Sequence, residues 1–125
     1  MVVRDRSKQR EALVRRVRRA HPELAGRGDA WLDGFVRDGI DNAESVGFSE
    51  DEDIYRFMVL PLRLSPQQRA SAMINGLVVR ALDQTRWAPT RRLDFIYEHV
   101  LPRTPGSRSD TELEPLFGSV VASDV

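Results

Sequence analysis

The sequence predicts an all-α fold: one domain of about five helices over residues 1–103, followed by a flexible tail over 104–125. Three observations predict it. Apolar residues recur at i, i+3, i+4 and i+7 through most of the chain. Proline and glycine fall between those runs, as helix stops and starts require. The one weakly alternating stretch, MVLPLRL at 58–64, carries Pro61 in its middle, where a central strand does not tolerate proline.

The first predicted helix covers about 5–20, with Leu13, Val14, Val17 and Ala20 on a thin apolar stripe that continues to Leu24. Pro22 disfavours a helical His21 and ends it, and Gly26 and Gly28 extend the break. The second covers about 30–46. Asp29 is its expected N-cap, because a carboxylate can accept free first-turn N–H groups. Leu32, Val36, Ile40 and Ala43 share one face, with Trp31 and Phe35 beside it. Gly34 and Gly39 weaken this helix by about 1 kcal/mol each against alanine, and close helix approach is their expected use. Gly47 is the expected left-handed C-cap.

Ser49 and Glu52 suggest a capping box for the third helix, and the acidic run 50–53 suits its positive end. Ile54, Phe57 and Met58 form its apolar side, and Pro61 ends or kinks it. The fourth helix opens on Ser65-Pro66-Gln67-Gln68, a serine cap, first-turn proline and capping-box glutamine. Ala70, Met73, Ile74, Leu77, Val78, Ala81 and Leu82 continue it as the expected central helix. The fifth follows Trp87-Ala88-Pro89, with Thr90 as expected N-cap. It buries Leu93, Ile96, Tyr97, Val100 and Leu101 and stops at Pro102. The clustered Pro, Gly and Ser beyond it predict the tail, in which Leu113, Leu116 and Phe117 could dock.

Composition narrows function by exclusion. The 125 residues hold no cysteine, so disulfides and thiolate metal sites are ruled out. The first residues lack the apolar region of a signal peptide, and no run is long enough to span a bilayer. The expectation is a cytoplasmic protein without a membrane partner. Net charge is zero, from 19 basic and 19 acidic residues, which argues against a nucleic-acid partner. The charges are segregated, however. Residues 1–28 hold nine basic and three acidic residues, and 29–54 hold nine acidic and one basic. Two such segments can satisfy each other within one chain or between chains, as in a homo-oligomer.

Catalytic signatures are missing from the sequence. His21 and His99 stand in no metal-ligand spacing, and Glu50–Asp53 lacks the ligand order of a calcium loop. No nucleophile elbow, phosphate loop or dinucleotide turn occurs. The expectation is a non-enzyme without metal or cofactor. The candidate partner-binding residues are Arg15, Arg16, Arg18 and Arg19 on the basic helix and the aromatics Trp31, Phe35, Trp87 and Phe95. Phe95 lies off the Leu93–Ile96–Val100 stripe and Trp87 lies in a loop. Aromatic and arginine side chains supply most of the affinity at protein interfaces.

From Trp31 to about Val100 the sequence resembles a small helical region of type VI secretion proteins. The matching residues are Gly39-Ile40 with Ala43, then Val46-Gly47-Phe48, Glu52-Asp53-Ile54 and Arg56-Phe57. Leu60, Leu62, Trp87, Pro89 and Leu93 follow. In that family the region is a module of adaptor chaperones that load effectors onto the secretion spike, and of small companion proteins. The sequence departs from the pattern at Leu64-Ser65-Pro66 and Trp87-Ala88-Pro89. The resemblance implies a non-enzymatic, chaperone-like accessory protein that binds an adaptor, effector or spike component. The alternative is an immunity protein that blocks a toxin with the acidic surface 29–54. A DNA-binding regulator using the basic helix is the reading from another class.

Overall fold

The computed structural model describes residues 6–103, and every regular element among them is helical. The expected tail lies outside the described residues. Contacts gather the chain into two compact units that meet in sequence between Val59 and Leu60.

The first unit contains α1 (Arg6–Ala20), a 3-10 turn (Pro22–Arg27), α2 (Asp29–Ser45) and α3 (Asp51–Met58). Helix α2 packs against both α1 and α3. Its Leu32, Val36, Ile40 and Ala43 are all buried, as their spacing requires. Leu13, Val17 and Leu24 meet the same expectation, whereas Ala20 stays exposed. From α3, Ile54 and Met58 are buried, and so are Asp53 and Tyr55. Each fully buried aliphatic or aromatic side chain contributes about 1.5–3 kcal/mol.

Gly39 explains why α2 and α3 lie so close. A Cβ there would stand 2.7 Å from Met58 Cγ and 2.9 Å from its Cε, so only glycine fits without a shift. Helix α2 ends in a Schellman motif. Gly47 adopts φ +99°, its N–H bonds Glu44 O at 3.1 Å, and Phe48 N–H bonds Ala43 O at 3.0 Å. Phe48 is 1% exposed, so this stop also contributes to the core.

Two expected caps move. The N-cap of α2 is Gly28, at φ +89°, and Asp29 is the first helical residue. The Asp29 carboxylate instead accepts from Arg18. The N-cap of α3 is Glu50, not Ser49, and Glu50 makes no side-chain cap bond. With the helix starting one residue later, Glu52 is no longer at the capping-box position, and Arg16 holds its carboxylate.

The second unit contains α4 (Leu60–Arg63), α5 (Pro66–Ala70), α6 (Ala72–Leu82), α7 (Pro89–Phe95) and a π-turn (Ile96–Val100). Pro61 lies in the first turn of α4, where a missing N–H costs nothing. The Ser65 capping box forms as expected: Ser65 Oγ accepts from Gln68 N at 3.1 Å, and Ser65 N donates to Gln68 Oε1 at 2.8 Å. The single helix expected after it is two. Ser71 is extended, at φ −86° and ψ 117°, and its hydroxyl caps α6 by accepting from Ile74 N–H. Serine's ability to compete for backbone groups favours that break.

The core of this unit joins Leu60, Ile74, Leu77, Ala81, Trp87, Phe95, Ile96 and Val100. The N-cap of α7 is Ala88, with Pro89 first in the helix, so Thr90 is not the cap. The chain widens into the π-turn after Phe95, where Leu101 N–H reaches back to Ile96 O at 2.9 Å.

Candidate functional site

The basic helix mostly serves its own unit. Arg16 makes a two-pronged pair with Glu52, at 2.5 and 3.1 Å, and its guanidinium lies 3.8 Å over the Tyr55 ring. Arg18 reaches Asp29 at 2.8 Å. Arg6 pairs with Glu44 at 2.8 Å and Arg10 with Asp33 at 3.2 Å. The segregated charges of 1–28 and 29–54 therefore meet within one chain. Hydrogen bonding to Glu52 raises the Arg16 pKa, and hydrogen bonding to Arg16 lowers that of Glu52. Both groups remain substantially exposed, so the pair is of the weak surface kind. Arg15 and Arg19, one turn apart on α1, are exposed and have no carboxylate partner among the described residues.

The four candidate aromatics separate into two pairs. Trp87 and Phe95 are 3% and 7% exposed, and their rings pack 5.3 Å apart inside the second unit. Their expected exposure is corrected: in this conformation they are core. Phe95 stands at the end of α7, where the switch to a π-turn rotates the face that is buried. Trp87 is drawn in by its loop. Arg92, 7% exposed, donates from Nε to Gln84 O at 3.0 Å and Trp87 O at 3.3 Å, and so pins that loop.

Trp31 and Phe35 behave differently. They sit one turn apart on α2, with ring centroids 5.3 Å apart and planes only 12° from parallel. Residues at i and i+4 meet on a helix surface, so the stack follows from spacing. Both are half-buried. Arg27 lies over the Trp31 ring, its Cζ 4.9 Å from the centroid. A shallow groove runs along this face, lined by Ala30, Trp31, Gly34, Phe35 and Asp38. Nothing but Arg37 Nη2, at 3.8 Å, would meet a Cβ at Gly34. Gly34 therefore has no intramolecular packing role of the kind Gly39 has.

The burial of two polar residues, and the long-range bonds they make, had no sequence signal. Gln9, 6% exposed, donates from Nε2 to Asp51 Oδ1 at 2.8 Å and ties α1 to the start of α3. Gln68, beyond its capping bond, donates from Nε2 to Leu101 O at 2.7 Å and Arg103 O at 2.9 Å. That satisfies carbonyls at the end of the π-turn from a residue far away in sequence.

His21 Nδ1 lies 3.2 Å from Glu23, and the His99 ring packs tilted against Phe95, centroids 5.1 Å apart. Among the described residues no group of three His, Cys, Asp or Glu side chains converges as a metal-ligand set. No helix among them is long and apolar enough to cross a membrane. No protein-family model matches this sequence, and no curated protein or solved structure is significantly similar to it.

Proposed function

We propose that this protein acts stoichiometrically, by binding other proteins, as a non-enzymatic accessory of bacterial type VI secretion. The observation that carries the binding reading is the half-exposed Trp31–Phe35 stack on α2, flanked by Arg27 and Asp38. Stacked aromatics left partly in water, beside an arginine and a carboxylate, have the composition of an interface hot spot. The resemblance over Trp31 to Val100 supports the secretion system and names the partner class: an adaptor chaperone, effector or spike component. Arg15 and Arg19 add exposed positive charge on α1, which would steer an acidic partner and orient its docking.

The immunity reading has less support. It needs 29–54 as an open acidic surface, and Asp29, Asp33, Glu44 and Glu52 already face arginines of the same unit. The test is co-purification from the source cells, with the captured proteins identified by mass spectrometry. A secretion component recovered in fixed ratio supports the proposal. Recovery of a toxin whose activity the protein blocks would instead establish the alternative.

A further inference from the structure

We infer that the α2 aromatic face is self-complementary and that its occupant is a second copy of this chain. The inference rests on reading that face as a protein interface, and it names what sits there.

The argument starts from Gly34. A glycine inside a helix is unfavourable, and α2 holds two of them. Gly39 is required by Met58, whose Cγ a Cβ would crowd to 2.7 Å. A Cβ at Gly34 would meet only the flexible end of Arg37, in ordinary contact at 3.8 Å, within a groove lined by Trp31 and Phe35. An uncrowded small residue beside two large rings is a hole beside knobs.

Two copies of α2 can meet antiparallel about a twofold axis, so that residue i faces j while j faces i. Place the axis at the level between Leu32 and Asp33. Trp31 of each copy then faces the gap over Gly34 of the other. Phe35 faces Ala30, again large against small. Arg27 precedes α2, beyond the Gly28 break, so the helix register does not place it; its guanidinium, held over the Trp31 ring, lies at the end of the contact where Asp38 of the other copy stands. A single register thus matches size twice and brings one pair of opposite charges to the same end. Other registers lose this: centring on Gly34 sets glycine against glycine and Trp31 against Arg37. Antiparallel helices whose ridges interdigitate approach to about 8–10 Å, which a small residue at the crossing favours.

One helix face is small beside the roughly 1,200 Å² that stable complexes bury, so the dimer should be weak and concentration-dependent. The experiment is sedimentation equilibrium on the full chain over a wide concentration range. The average mass should climb from 14.2 kDa toward twice that value. Trp31→Ala should abolish the rise. Gly34→Ala should weaken association by about tenfold by filling the hole, while leaving the melting temperature equal or higher. Arg27→Glu and Asp38→Arg should each weaken it, and the two together should restore it, because the charge pair is then reversed on both sides.

A mass of one chain at every concentration overturns the inference, as does failure of the paired charge reversal to restore association. If the chain is monomeric but Trp31→Ala still costs it the protein captured from cells, the face is an interface for a different protein. If it is monomeric and capture is unaffected, the interface reading falls as well.

Discussion

Each of the two units is held together internally by its own chemistry. In the first, arginines of α1 reach carboxylates on α2 and α3: Arg6 to Glu44, Arg10 to Asp33, Arg16 to Glu52, and Arg18 to the first residue of α2. In the second, polar side chains fasten backbone carbonyls, Arg92 on the 83–88 loop and Gln68 on the end of the π-turn. The contrast matters because the two devices differ in strength. Exposed ion pairs are worth about 0–1 kcal/mol each and weaken in salt. A carbonyl buried without its donor costs about 1–3 kcal/mol. Each unit also holds one tryptophan, Trp31 in the first and Trp87 in the second. Fluorescence of Trp31→Phe and Trp87→Phe chains therefore reports each unit separately.

The largest expected effect lies in the second unit's core. Leu77→Ala should cost about 2–5 kcal/mol in denaturant unfolding, since Leu77 is 5% exposed within that unit's core cluster. A loss below about 1 kcal/mol would place α6 at the periphery. Next comes Arg92→Met, which keeps much of the stem and removes the donors. It should cost about 1–3 kcal/mol and shift Trp87 emission to the red as the loop loosens. An unchanged melt would mean that the guanidinium bonds contribute nothing net.

The two glycines of α2 sharpen the comparison within one element. Gly39→Ala must move Met58 and should destabilise by about 1–3 kcal/mol. Gly34→Ala meets only the end of the Arg37 side chain, at an ordinary 3.8 Å, and should stabilise by up to about 1 kcal/mol. Equal signs in thermal melts would break the account of α2.

The smallest effect is electrostatic. Hydrogen bonding to Arg16 lowers the folded-state pKa of Glu52 below its ordinary 4.5. Its contribution is therefore complete above the unfolded value and is lost as pH falls through the lowered one. Being largely exposed, the pair should add only about 0–1 kcal/mol. Acid titration of Glu52→Gln against the parent should show the parent's small advantage at pH 7 vanish in strong acid. High salt should shrink the same advantage, measured through Trp31 fluorescence.

Much of the fold was legible in the sequence because burial leaves a period. Leu32, Val36, Ile40 and Ala43 lie where a helical face requires, and Gly47 and Ser65 act at the ends they mark. What failed was local competition. Asp29, Ser49 and Thr90 each look like a cap, but a nearby residue takes the position, and Asp29 and the expected capping-box Glu52 answer to α1 arginines instead. Ser71 interrupts an apolar run with no proline or glycine to announce it. Burial of Trp87, Phe95 and Arg92 depends on a loop and a π-turn, which carry no periodic pattern. For the site, charge segregation showed that α1 could pair with its neighbours but not whether it would do so within one chain or between chains. The stacking of Trp31 on Phe35 follows from four-residue spacing, but their partial exposure does not.

The central claim is that the Trp31–Phe35 face binds protein. The most direct measurement is recovery from source cells by a tagged chain, with an untagged copy co-expressed, comparing the parent with Trp31→Ala/Phe35→Ala. Far-ultraviolet dichroism checks that the variant stays helical. The account predicts that the parent recovers a secretion component, the untagged copy, or both in fixed ratio, and that the folded variant recovers neither. Equal recovery by the two would contradict it, as would a parent that captures nothing and instead turns over a substrate.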